Sequence, residues 1–155
     1  MSAGAVRRSG VLVTVTADGG AVGVGPEINR PDVVAEVTAA FERYERALVA
    51  RDFDTLDEQF WDGEAVVRFG IAENQYGPAV IGAWRRVAPV IHPSRRLANT
   101  VVTTFGTDFA TVSTEFRSDV QPGLVGRQMQ TWVRFPGGWR VVAAHVSTIA
   151  EEGKG

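Results

Sequence analysis

Residues 127–149 read RQMQTWVRFPGGWRVVAAHVSTI, two runs of β-branched and aromatic residues joined by Pro136-Gly137-Gly138. Such runs fit strands, and a Pro-Gly-Gly sequence between them is hairpin chemistry. The stretch predicts an antiparallel pair over 127–135 and 139–149. Working outward, 97–105 and 109–117 have the same composition and are joined by Gly106-Thr107-Asp108, a second hairpin. Gln121-Pro122-Gly123 belongs to a longer connection between the two pairs.

Before these strands the pattern turns helical. Val34, Val37, Phe41, Tyr44 and Leu48 recur every three or four positions, one apolar stripe on a helix that opens at Pro31 and runs to about Arg51. Asp54 is expected to cap a short second helix, with Leu56 and Phe60 on its inner face. Residues 64–70 alternate and predict a strand, and 73–77 a turn. Pro78 opens a third helix whose expected buried stripe is Val80 or Ile81, Trp84, Val87 and Ile91, ended by Pro93. The order α-α-β-α-β-β-β-β, with helices ahead of a run of antiparallel strands, is α+β.

The 155 residues fit one domain, with 45% hydrophobic and 22% charged residues, as in an ordinary globular protein. Residues 1–27, rich in Gly, Ala and Val, are expected to form a flexible extension or a loose edge strand, ahead of a domain over 28–150 and a tail over 151–155. The net charge of -2 gives no electrostatic reason to expect nucleic acid or an anionic membrane as partner. The absence of cysteine excludes disulfides, thiolate metal sites and a cysteine nucleophile. Arg7 and Arg8 precede an apolar run of about five residues, shorter than a secretory signal needs, and no stretch is apolar enough for a membrane-spanning helix, so the expected location is cytoplasmic. His92 and His145 are far apart and no metal-ligand motif is present, so no metal and no cofactor are expected. The glycines at 19, 20, 23 and 25 lack the βαβ context of a dinucleotide loop.

Several words of sequence resemble one family: PDVVAEVTAAFERY at 31–44, LDEQFW at 56–61, VRFG at 67–70 with Glu73-Asn74 and Tyr76-Gly77, GRQ at 126–128, TWVR at 131–134 and GWRVVAAHVS at 138–147. The chain is similar over residues 28–150 to the small proteins encoded with amidases in oxalurate and cyanuric-acid catabolism, within the SnoaL-like, nuclear-transport-factor-like superfamily that includes ketosteroid isomerase. Its ending also resembles the calmodulin-kinase association domain. The resemblance implies a cone-shaped (cystatin-like) α+β fold, three helices packed on a curved, mostly antiparallel sheet, enclosing a small-molecule pocket. It implies a homodimer, and a decarboxylating amidohydrolase acting on carboxylated ureas such as 1,3-dicarboxyurea. Tyr44 and Arg68 match the family's proposed catalytic residues.

Read from the residues alone, Tyr44 is either a core tyrosine bonded to a backbone carbonyl or a pocket hydroxyl that donates to a developing oxyanion or a leaving nitrogen. Arg68 is either a solvated strand arginine or a buried clamp for a carboxylate, with Glu64 too far along the strand to pair with it. Val66 shares its face. His145 and Ser147 are expected on one face with Trp139, Val141 and Ala143, as core polar groups or as ligand contacts. Gln128 and Gln130, beside Trp132, form either a polar pocket lining or an exposed ladder. Glu73 and Asn74 sit at the expected rim, and Trp61 is a further candidate contact.

Two function classes share this pocket: an enzyme acting on a small carboxylate-bearing amide, and a non-catalytic binding protein accessory to a partner amidase. A SnoaL-like cyclase or isomerase would want an acidic base where Arg68 stands. Because the resemblance begins only near Ile28, removal of residues 1–26 is expected to leave thermal unfolding unchanged. A loss of several degrees, corresponding to more than about 1 kcal/mol, would show that the fold needs them.

Overall fold

The computed structural model describes residues 5–8, 11–15 and 21–153. Three strands, β1 (Ala5–Arg8), β2 (Val11–Val15) and β3 (Ala21–Pro26), form an antiparallel sheet of their own. Helices α1 (Pro31–Ala50) and α2 (Phe53–Gln59) follow, then a short hairpin of β4 (Val67–Phe69) and β5 (Asn74–Tyr76), then α3 (Pro78–Val87). Four long strands close the chain: β6 (Arg96–Phe105), β7 (Phe109–Arg117), β8 (Leu124–Phe135) and β9 (Gly138–Ala150). Their sheet has six strands in the order β5-β4-β9-β8-β7-β6, antiparallel except for β4 against β9. The helices pack on a curved, open sheet, which is the α+β arrangement implied by the sequence. No helix among the described residues is long and apolar enough to cross a membrane.

Helix α1 fills the concave face. Its buried positions are Val33, Val37, Phe41, Tyr44 and Ala47, a stripe that agrees with the periodicity except at its ends, where Val33 and Ala47 are buried and Val34 and Leu48 half-buried. Opposite them lie Ala110, Val112, Trp132, Trp139 and Val141. The helix ends at Arg51, whose φ of 54° lies in the left-handed region and lets the Asp52 amide donate back to the Ala47 carbonyl at 3.0 Å.

Four local expectations are corrected. The cap of α2 is Asp52, not Asp54: Asp52 accepts from the Thr55 amide at 3.1 Å and from its hydroxyl at 2.7 Å. Residues 74–76 are a strand, not a turn. The turn lies one step earlier, where the Gly70 amide donates to the Glu73 carbonyl at 2.8 Å, and only 67–69 of the expected 64–70 strand is paired. Helix α3 ends at Val87 instead of Pro93, because Ala88 precedes Pro89 and is held extended. Its inward side is Ile81, Gly82 and Arg85, while Val80 and Val87 are exposed and Trp84 half-buried.

The last correction decides the site. Thr131 pairs with Ala143 and Trp132 with Val141, so Val142 is an extra residue in β9. This bulge shifts the alternation of the strand by one. Trp139 and Val141 face inward before it, and Ala144 does so after it. His145 and Ser147 therefore face outward with Ala143, not inward with Val141. Trp132, fully enclosed at the centre of this face, is the largest such side chain. Trp132→Ala is expected to cost about 3–5 kcal/mol in denaturant unfolding, with the transition still cooperative.

Candidate functional site

The pairing register lays one row across the concave face: Gln75 beside Arg68, Arg68 beside Ala144, Ala144 beside Gln130, Gln130 beside Val112. Ala144 is small, so Arg68 and Gln130 stand over it about 10 Å apart, two strand spacings. The Arg68 side chain is 12% exposed. Its Nη1 donates to Gln75 Oε1 at 2.9 Å, and its guanidinium lies 4.4 Å from the centroid of the Trp84 ring. Glu73 Oε2 stands 3.9 Å from Nη1, the edge of ion-pair range. The protein thus offers Arg68 a carboxylate that sequence spacing did not reveal, because the hairpin turn folds Glu73 back. A Cβ built on Gly70 would overlap the Glu73 carboxylate and stand 2.8 Å from Arg68 Nη1, so glycine at this position makes room for the approach.

Tyr44 is buried between Phe60 and Trp132, with ring centroids 6.1 and 6.4 Å away. Its hydroxyl takes part in no hydrogen bond among the described residues, so the core arrangement with a backbone carbonyl is not the one found. Burial pushes the phenol above its ordinary range, the Glu45 carboxylate adds to that, and Arg85, Arg68 and Arg95 act in the opposite direction. Tyr44 is consequently a protonated donor at neutral pH.

Two further arginines complete the surroundings. Arg95 pairs with Glu45 through Nε at 3.0 Å and Nη2 at 3.3 Å, and Gln128 bridges them, accepting from Arg95 at 3.3 Å and donating to Glu45 at 2.9 Å. Arg85 is 6% exposed and bonded to the Leu56 carbonyl and Asp57. Sequence reading missed both. Arg85 was legible in principle, being four residues after the inward Ile81.

The other expected residues divide. Gln130 is buried and accepts from Trp132 Nε1 at 3.2 Å. Gln128 belongs to the Glu45–Arg95 network. Trp61 stacks on Phe135, centroids 6.0 Å apart, and lines a cleft of about 370 Å³ with Phe60, Ile81, Gly82 and Arg85. Asn74 is exposed opposite Phe69. His145 is exposed on the convex face, edge-on to Phe69 at 6.2 Å, and Ser147 accepts from Arg127 at 3.1 Å there. The structure brings together Arg68, Tyr44, Gln75, Gln130 and Glu73, and does not bring His145, Ser147 or Asn74 to them.

The model of the AtzH-like family matches residues 26–152. No curated protein matches the chain. Among solved structures, a cystatin-like fold protein from Burkholderia xenovorans LB400 is 58% identical, with a TM-score of 0.79 over 81% of this chain and 98% of that one. A protein of the DUF3225 family from Pectobacterium atrosepticum SCRI1043 is 52% identical, with a TM-score of 0.76 over 79% of this chain and 95% of that one. An NTF2-like protein from Pseudomonas putida KT2440, 19% identical with a TM-score of 0.66 over 79% of this chain and 91% of that one, shares the fold.

With only two tyrosines in the chain, a Tyr76→Phe variant reports Tyr44 alone. Its tyrosinate absorbance is expected to stay absent until well above pH ~10. Stability should fall as pH rises from ~10 through the folded-state pKa, since the unfolded phenol ionises first. Tyrosinate formation near pH ~10 in the folded protein would show the phenol to be solvated.

Proposed function

The chain belongs to the AtzH-like family, and on that footing we propose that it removes the N-carboxyl group of a carboxylated urea or a related small amide. The fold and family support a small-molecule-binding NTF2-like protein. The observation that supports the finer reading is the combination of a half-buried, incompletely answered guanidinium with a buried, protonated phenol that has no hydrogen-bond partner among the described residues, each acting on the other's charge.

Arg68 supplies a planar fork that accepts a carboxylate through two parallel hydrogen bonds. Such a bond to a carboxylate away from the breaking bond holds ground and transition states alike, so it lowers KM. Tyr44 acts on the reacting nitrogen. The N–COO⁻ bond breaks, its electron pair stays on nitrogen, nitrogen takes a proton from the Tyr44 hydroxyl, and the carbon leaves as CO₂. Solvent returns a proton to the phenolate, whose transient charge the surrounding arginines offset. The sum is R–NH–COO⁻ + H⁺ → R–NH₂ + CO₂. Gln130, opposite Arg68 across Ala144, is placed to orient an amide or carbonyl of the substrate.

The test is release of CO₂ from 1,3-dicarboxyurea by the purified protein, with 1-carboxyurea as the other product. Arg68→Lys is expected to raise KM about tenfold or more, because charge survives but the fork does not. Tyr44→Phe is expected to keep the fold and lower kcat about a hundredfold with little change in KM. A protein that binds the compound but releases nothing beyond the spontaneous rate would be a binding or accessory protein, and the enzymatic reading would be lost.

A further inference from the structure

Helix α3 carries a charge where its buried stripe calls for an apolar residue. Arg85 takes the inward position four residues after Ile81 and is 6% exposed. Part of the guanidinium is accounted for: Nη1 donates to the Leu56 carbonyl at 3.1 Å and to Asp57 Oδ1 at 3.3 Å, and Cζ lies 4.1 Å from the centroid of the Phe60 ring. Nη2 is enclosed and has no hydrogen-bond partner among the described residues. A buried cationic donor with nothing to bond carries a desolvation penalty that Leu or Met at this position would avoid. Asp57 does not cancel it, being 38% exposed and bound more closely by Arg86, at 2.8 Å.

Arg85 sits where a second anchor would sit. It and Tyr44 flank the same ring, Phe60. Among the charges acting on Tyr44 its effect is the strongest, and the Arg68 charge is felt at Arg85 in turn. Arg68 rests on Trp84, the residue immediately before Arg85. Consecutive residues of one helix turn therefore brace one guanidinium and supply the other. Arg85 also lines the cleft of about 370 Å³ between α2 and α3, on the side of Phe60 away from the Arg68 row.

We propose that Arg85 is a second ligand-contacting residue of this site: its free Nη2 donates to an anionic group at the far end of the molecule whose first carboxylate lies on Arg68, so the site selects short dianions over monoanions. This rests on Arg68 as carboxylate anchor, and it adds the residue that sets specificity. A charge-assisted hydrogen bond of this kind is expected to favour a dianion by about tenfold or more.

Calorimetric titration of the full chain with malonate and succinate, against acetate, measures the preference without turnover. The parent is expected to bind one of the dicarboxylates about tenfold or more tighter than acetate. In Arg85→Gln that preference should collapse toward unity with acetate affinity unchanged, whereas Arg68→Lys should weaken both. A parent without the preference, or a folded Arg85→Gln that retains it, overturns the proposal. Should Arg85→Gln fail to fold, Asp57→Asn decides. Removing the carboxylate that competes for Arg85 should raise dicarboxylate affinity several-fold and leave acetate unchanged, and an unaltered ratio overturns the proposal. A parent that shows this binding pattern but releases no CO₂ from 1,3-dicarboxyurea would sink the enzymatic reading alone. Turnover sensitive to Arg68→Lys, with a dicarboxylate preference untouched in Arg85→Gln, would sink this inference alone.

Discussion

Val142 has no partner across the sheet, and the chemistry of the concave face follows from that dislocation. Strand β9 is the only neighbour through which β4 joins β8, so whatever β9 presents inward separates Arg68 from Gln130. The bulge makes that residue Ala144 and turns His145 away. With an unbroken alternation running on from Trp139 and Val141, Ala143 and His145 would have faced inward and the imidazole would have occupied the interior. A methyl group is then all that β9 places between Arg68 and Gln130, and Trp132, edge-on to Tyr44, is the next inward residue of β8.

The charges of three arginines act on one phenol, and the protein treats each differently. Arg95 is answered in full by Glu45, with Gln128 completing the network and Phe116 stacked at 4.1 Å. Arg68 has a neutral amide at 2.9 Å and a carboxylate only at 3.9 Å. Arg85 has one nitrogen bonded and another with no partner. Buried cations are ordinarily satisfied, since the penalty for leaving one unpaired is large. On the proposed reading, the gradient from Arg95 to Arg85 separates a structural arginine from two that would take a carboxylate. On that reading the fold gives up stability to keep a binding site.

Much of the frame was legible in the sequence because its signals are local. The α1 stripe centred on Val37, Phe41 and Tyr44 needs only the helical period, and the hairpins around Gly106 and Pro136-Gly137-Gly138 need only turn chemistry. What failed was non-local. The bulge at Val142 exists only as a mismatch between two strands, so neither strand announces it, and His145 and Ser147 were placed by an alternation that the pairing breaks. Glu73 reached Arg68 because the turn lies at 70–73 and not at 73–77, a difference of three residues in a stretch with weak patterning. Arg85 was passed over because charge in an apolar stripe reads as exposure, although the step from Ile81 placed it inward.

The electrostatics of Tyr44 connect binding to chemistry. Burial holds the phenol protonated, while the nearby cations make its ionised form less costly than burial alone would. On the proposed reading, an arriving dianion neutralises Arg68 and Arg85. That strengthens the hold of the phenol on its proton, so Tyr44 meets the substrate as a donor. As CO₂ departs the negative charge stays behind, passing from the carboxylate to nitrogen and then to the phenol oxygen, where the arginines that held the carboxylate offset the transient phenolate. The proton thus moves as the anionic charge shifts from the leaving carboxylate to the phenol oxygen, and binding energy from a carboxylate remote from the breaking bond holds the reacting group against Tyr44. A neutral substrate of the same shape would bring no such charge to relocate. That argues that the incomplete pairing of the two arginines belongs to the mechanism as well as to recognition.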